Sequence, residues 1–352
     1  MKNSSFLLWV CVVSLLGGLQ PAVGGTLLVA NKSDHTVDLI DARSGEKRAT
    51  LPTGRAPHEA ALSPDGRLAV ISNYGPRDEA GSTLTVIDVA QAKVVRTIEL
   101  GKHQRPHGLA WYAGDRLAVT TEDSAHLLVV DPRAGTVVNE IKTGQKISHM
   151  VAVTPDGRRA FVANIGSGTV TAIDLATAEK IEDIKTGAGT EGIAVTPDGK
   201  QLWVSSRAAD TLTVISTEQL QPIAQFPCPG FPIRVAITPD GKRVLVSCAK
   251  SGEVAVFDAA SFEELIRRKL DLAAVAESAT RLFGDRFGES PVPIGLVVAP
   301  DGKRAWVAAT QSDVVVVFDT ATLDVVDLIQ AGQEPDGMAH TAVATKGQSS
   351  GG

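Results

Sequence analysis

Aromatic residues are scarce: two Tyr, four Trp and nine Phe make up 4% of 352 residues, too few to line a base-stacking groove for single-stranded nucleic acid. Positive charge is not in excess either. With 34 Lys and Arg against 40 Asp and Glu the net charge is −6, so the chain carries no basic footprint for a phosphate backbone. Cysteine is rarer still, at three, which excludes a disulfide-stapled scaffold and leaves stability to an apolar core. The single long apolar run, Phe6 to Leu16, is too short to span a bilayer. Familiar catalytic signatures are missing as well. There is no Gly-x-Ser-x-Gly elbow, no Gly-x-x-x-x-Gly-Lys-Ser/Thr loop, no His-Glu-x-x-His and no Cys-x-x-Cys-His haem attachment. At 43% hydrophobic and 21% charged, the chain is nevertheless globular in composition.

What is present begins with a targeting pattern. Lys2 precedes the apolar run, and small residues lead up to Gly24. This order describes a secretory signal peptide over residues 1–24, which predicts a periplasmic or secreted protein with no membrane span after cleavage. Cys11 leaves with that segment. Cys228 and Cys248 remain, and an exported compartment permits a disulfide between them.

The body of the chain repeats. Pro-Asp-Gly occurs at Pro64, Pro155, Pro197, Pro239 and Pro300, each time followed by Arg or Lys, and Ala113-Gly114-Asp115-Arg116 is a degenerate copy. The spacings are 49, 42, 42, 42 and 61 residues, and a base period of 42 fits a four-stranded propeller blade. In one unit, Thr190 to Thr196 reads as a strand and Pro197-Asp198-Gly199-Lys200 as a hairpin turn. Gln201–Ser205, Thr211–Ile215 and Pro222–Phe226 supply three more strands. Thr26–Asn31 matches a second strand with no first strand before it, and Glu334–His340 matches a first strand with nothing folded after it. Joining the two ends predicts an all-β, seven-bladed propeller over residues 25–345, closed by its terminal strands so that no sheet edge is left open. Residues 346–352 are expected to be a disordered tail.

Phe161-Val162-Ala163-Asn164, Thr169 to Asp174 and Ile184-Lys185-Thr186-Gly187 together resemble the YVTN-type propeller repeat of YncE-like exported proteins. The resemblance implies the seven-bladed fold and little about function. Similar repeats occur in surface-layer components, in nucleic-acid binders and in the haem d1 propellers of nitrite reductase and its relatives.

Repeated residues build the scaffold. Asp41, Asp88, Asp131, Asp174, Asp258 and Asp319 recur at the ends of third strands, with Ser216 in the remaining blade, and read as turn caps. Function is sought in departures from the repeat. Six residues before each turn, at the entry of the innermost strands, stand His58, His107, His149, Glu191, Ile233, Ile294 and Asp336. Three imidazoles at one level with two carboxylates suit Zn²⁺ or Cu²⁺ with an open position, which makes His58, His107 and His149 candidate metal ligands. The position nine after the turn supplies Asn73, Glu122 and Asn164 as candidate residues behind the ligands, with Glu122 expected opposite His107. Glu191, Asp336, Arg234 and Arg105 are candidate ligand-binding residues on the same rim. Strand alternation equally allows the histidines to be polar residues lining a wet channel mouth, and the arginines to be solvated rim charge.

Two insertions point to that face. The 61-residue spacing comes from residues 271–291, where Leu272, Val275, Ala276, Ala279, Leu282 and Phe283 follow helical spacing. Tyr74 to Gly81 extends a loop on the same side. The sequence therefore predicts a monomeric, exported propeller that binds a protein partner or small ligand at its upper mouth. The alternatives are a redox protein dependent on metal or, less in keeping with the missing attachment motif, a haem d1-like cofactor, and a metal-assisted lactonase or lyase.

Overall fold

The computed structural model describes residues 24–112, 115–272 and 284–346. Within them the chain forms 28 strands arranged as seven four-stranded antiparallel sheets. Blade 1 is built from both ends of the chain. Pro335–Thr341 pairs with Thr26–Asn31, which pairs in turn with Thr36–Asp41 and then Lys47–Pro52. Blades 2 to 7 follow in chain order, and their innermost strands are Pro57–Leu62, Pro106–Tyr112, Ser148–Val153, Thr190–Val195, Pro232–Ile237 and Pro293–Val298.

Blade 5 shows how the sequence makes a sheet. Gly199 adopts a φ of +75°, a conformation that glycine tolerates without steric cost. Asp198 accepts from the Lys200 amide at 3.0 Å and from the Thr196 hydroxyl at 2.6 Å, which locks the hairpin. The second and third strands, Gln201–Ser206 and Thr211–Ser216, are buried on both faces, while the outer strand Gln221–Pro227 is largely exposed. Middle strands therefore lack clean polar–apolar alternation because each sheet is packed between two neighbours.

The core is correspondingly divided. Seven apolar clusters each lie between two adjacent blades, as where Phe161 and Ala163 of blade 4 meet Leu202 and Val204 of blade 5. The interface that closes the ring is no weaker in kind: Trp306 of blade 7 packs with Leu27, Val29 and Met338 of blade 1.

Innermost strands approach the axis closely, and their entries are bulged. In blade 3, Pro106 pairs with Thr121 but Leu109 with Val119, so His107 and Gly108 occupy an extra step. The same shift recurs in all seven blades. A bulge re-aims the side chains it carries. Gly108 shows how tight the packing is, since a Cβ there would lie 2.6 Å from the His149 carbonyl oxygen. A hydroxyl fills the remaining gap: Thr120 accepts from the Gly108 amide at 2.8 Å and donates to the His149 carbonyl of the next blade.

Residues 1–23 and 273–283, which hold most of the expected signal peptide and of the inserted helix, lie outside the described residues, as do 347–352. Gly284–Phe287 forms a 3-10 turn, and Phe287 packs with Phe231, Ile233 and Ile294. Thr345 and Lys346 bond back to Val89 and Ala90 of blade 2.

Candidate metal centre at the channel mouth

The bulged entries bring side chains from six blades to one end of the axis. The rings of His107 and His149 lie with centroids 3.6 Å apart, tilted by 36°, and His58 lies 5.0 Å from His107. One ligand atom each from His107, Glu122 and His149 can be chosen so that all three lie within 4.8 Å of one another. His58 stands outside that group. Its ring packs 4.2 Å from Tyr74, and its Nδ1 is 3.0 Å from the Ala56 carbonyl.

Glu122 does not face His107 as spacing suggests. Blade 3 has a shorter first hairpin, with Tyr112 paired directly to Arg116, so Thr121 takes the level that Asn73 holds in blade 2. Glu122 stands one residue farther on, where it bonds His149 Nδ1 and accepts from the Tyr74 hydroxyl at 2.5 Å. Asn73 and Asn164 turn back into their own blades. Asn73 donates to Thr83 and Thr85, and Asn164 to Thr169 and Thr171.

An ion network lies against the imidazoles. Arg234 is buried and reaches across the channel from blade 6 to Glu59 of blade 2 at 2.5 Å. It also approaches Glu191 at 3.3 Å and Asp336 at 4.0 Å. Glu191 binds Arg207 and lies 3.2 Å from His149 Nε2, while Lys32 pairs with Asp336 at 2.8 Å. Arg105 is placed differently: it donates to the carbonyls of Gly75, Pro76 and Arg77, so it pins the loop above the mouth.

Sequence reasoning missed Glu59, Lys32, Tyr74 and Arg207. The last three share the register level of Glu122, one step past the second strand, which the bulged entries bring beside the axis. Glu59 stands where blades 1, 3, 5 and 7 carry Gly337, Gly108, Gly192 and Gly295. Both sets were departures from the repeat, one position away from the level that was read.

Burial and neighbouring charge separate the protonation states. Burial, with repulsion from His149 and His58, holds His107 well below the usual imidazole range. Burial followed by the charge of Lys32 does the same to His58. Burial also disfavours a charged His149, but hydrogen bonds and charges from Glu122 and Glu191 outweigh it and raise its pKa. Against the cost of burial, Arg207, His149 and Arg234 keep Glu191 low, and Lys32, His58 and Arg234 keep Asp336 low. Burial wins at Glu59, whose carboxyl is pushed up despite Arg234. His107 is thus a neutral imidazole, the form that ligates metals, and its Nδ1 is buried without a hydrogen-bond partner, 4.0 Å from Glu59.

The family model of YncE-like β-propellers matches residues 115–282. The seven-bladed β-propeller protein Rv1057 of Mycobacterium tuberculosis is 31% identical over 132 residues. Over residues 115–282, just under half of its length, the chain is similar to the YncE-like β-propellers. The match to Rv1057 covers 37% of this chain and 32% of that protein, so the chain matches about a third of its curated relative's length. Among solved structures, a candidate 6-phosphogluconolactonase of Bacteroides fragilis aligns with a TM-score of 0.71 at 16% identity, covering 91% of this chain and 98% of its own. The dihydro-haem d1 dehydrogenase NirN aligns at 0.60 and 17% identity, covering 92% and 76%. At such identities the likeness is one of fold. Among the described residues, no helix of this propeller is long and apolar enough to cross a membrane.

Proposed function

We propose that this propeller is an exported binding protein that holds a divalent transition-metal ion at its channel mouth, on His107, Glu122 and His149. The observation that carries the reading is the convergence of two imidazoles and one carboxylate within 4.8 Å, on side chains from two neighbouring blades. Two nitrogen donors and one oxygen suit Zn²⁺ or Cu²⁺ and leave coordination positions free for water or a small Lewis base. Glu191 and Glu59 lie beside the imidazoles and add negative charge, while Tyr74 fixes one Glu122 oxygen. The N-terminal pattern from Lys2 to Gly24 supports export. The haem-binding neighbour shares the fold only, so it does not extend the reading to a tetrapyrrole.

Metal uptake tests this. Protein stripped with chelator and titrated with Zn²⁺ or Cu²⁺ should take up one ion per chain at micromolar concentration. Replacing both His107 and His149 by Ala should abolish uptake with the circular-dichroism spectrum unchanged, whereas His58→Ala should retain it. A wild-type protein that takes up neither ion, or a double variant that binds equally well, would sink the reading.

A further inference from the structure

The two cysteines of the propeller body are not among the residues grouped as metal ligands at the mouth. Cys228 follows the outer strand of blade 5, and Cys248 ends the second strand of blade 6. Twenty residues apart in sequence, their sulfurs are 3.9 Å from one another, and both side chains are free thiols buried from solvent. Buried free cysteine is common, and two in contact can be mere packing. Here the surroundings are not apolar. The guanidinium of Arg267 spans the pair, with Nη1 3.5 Å from Cys248 and Nη2 3.8 Å from Cys228. Arg267 is itself held by Glu253 at 3.2 Å and Glu264 at 2.8 Å. A fixed cation touching two adjacent thiols is the environment that stabilises a thiolate.

We infer that Cys228 and Cys248 form an oxidisable dithiol, a modification site that closes to a disulfide joining blades 5 and 6 under a peroxide oxidant. Arg267 touches both sulfurs, so either thiol can supply the thiolate. That thiolate attacks one peroxide oxygen, the O–O bond breaks, and hydroxide leaves with a proton to become water. The second thiol then attacks the sulfenic sulfur, the S–S bond forms, and a second water departs. Two thiols lose two electrons and two protons, and one hydrogen peroxide becomes two waters.

The bond would also brace the mouth. Cys228 opens the segment that leads to Phe231, whose ring lies 5.2 Å beneath the Arg207 guanidinium, and Arg207 holds Glu191. A staple at Cys228 therefore fixes the chain beneath one of the site's carboxylate anchors.

Peptide mapping of the full chain tests the pair. The protein is reduced with a phosphine, freed of reductant, exposed to a small excess of hydrogen peroxide, alkylated in denaturant and digested with trypsin. Cys228 falls in residues 208–234 and Cys248 in 244–250, so a disulfide must link two separate peptides. The expected result is that linked species, two hydrogens lighter than the sum of its parts and lost on reduction. Arg267→Gln should slow its formation about tenfold, because thiolate is lost. Recovery of both peptides fully alkylated after treatment that oxidises a free thiol control would overturn the inference. So would oxidation of one cysteine to sulfinic acid with the other left free. The wild-type map does not depend on any variant folding, and an unchanged rate in Arg267→Gln would refute the role given to that arginine.

Discussion

The two faces of the disc are built from the same repeat and differ in what they do with it. On the lower face, equivalent residues make equivalent bonds. Asp41 accepts from the amides of Arg43 and Ser44, Asp174 from Ala176 and Thr177, and Asp258 from Ala260 and Ser261. Ser216 makes a similar bond to Gln219. On the upper face, equivalent positions hold His58, His107, His149, Glu191, Ile233, Ile294 and Asp336, and their bonds run between blades and across the axis. A lower-face turn satisfies its own blade. The upper mouth instead ties non-adjacent blades together through buried charge, so a change there has no local substitute.

The largest effect should come from opening the ring on which both faces depend. Deleting residues 334–352 removes the innermost strand of blade 1, leaves Thr26–Asn31 as an unpaired edge, and uncovers Leu27, Val29 and Trp306. A cost on the order of 5 kcal/mol is expected, visible as a large drop in Tm or loss of cooperative unfolding. Thermal unfolding unchanged from the full chain would contradict closure by the termini.

Next in size is the axial arginine. Arg234→Met leaves Glu59, Glu191 and Asp336 without the cation they share, and breaking a buried ion pair from one side costs roughly 3–5 kcal/mol. Urea unfolding should show this, with partial recovery when Glu59→Gln is added, because that variant removes one of the stranded charges. A cost below about 1 kcal/mol would mean that the axis is wet enough to screen its charges.

How far the molecule could be read from its sequence follows the same division between faces. The blades were legible because Pro-Asp-Gly turns and the 42-residue period are local and repeated, and closure was legible because each chain end lacked what the other supplied. The ring of strand entries was legible as a level. What escaped was geometry that no single strand encodes. The bulge at each entry and the shorter hairpin of blade 3 moved Glu122 from His107 to His149. Arg234 finds Glu59 across the bore, 175 residues away in sequence, and only the assembled ring brings them together. Arg105 was chosen for its charge, and its Nη atoms donate to loop carbonyls while its Nε lies 3.9 Å from Asp123.

A subtler difference between the faces is the pH dependence of the metal-free protein. His149 has a raised pKa in the folded state. Its contribution to stability is therefore fully present below the unfolded value near 6.5 and is lost as pH rises through the folded one. His149→Gln should flatten that alkaline-side loss, measured as Tm against pH in the presence of chelator. Zn²⁺ should oppose the proton, so its affinity should decline on acidification from a pH above the ordinary imidazole range. An identical Tm profile in wild type and variant would show that Glu122 and Glu191 do not hold the charged ring.

The smallest effect belongs to a lower-face cap. Asp41 accepts two backbone amides and pairs with Arg48 at 3.0 Å, which outweighs the cost of its slight burial and lowers its pKa to about 2. Because the side chain stays partly open to water, Asp41→Ala should cost on the order of 1 kcal/mol or less after screening. The sign is opposite to that at His149. A carboxylate with a depressed pKa stabilises the fold above its unfolded value of 3.8, and that contribution is lost as pH falls towards about 2. The variant should therefore differ from wild type in Tm at neutral pH by little, and converge with it in strong acid. A loss as large as that of Arg234→Met would mean that a single turn cap governs its whole blade, and the contrast between a locally satisfied lower face and a ring-spanning mouth would fail.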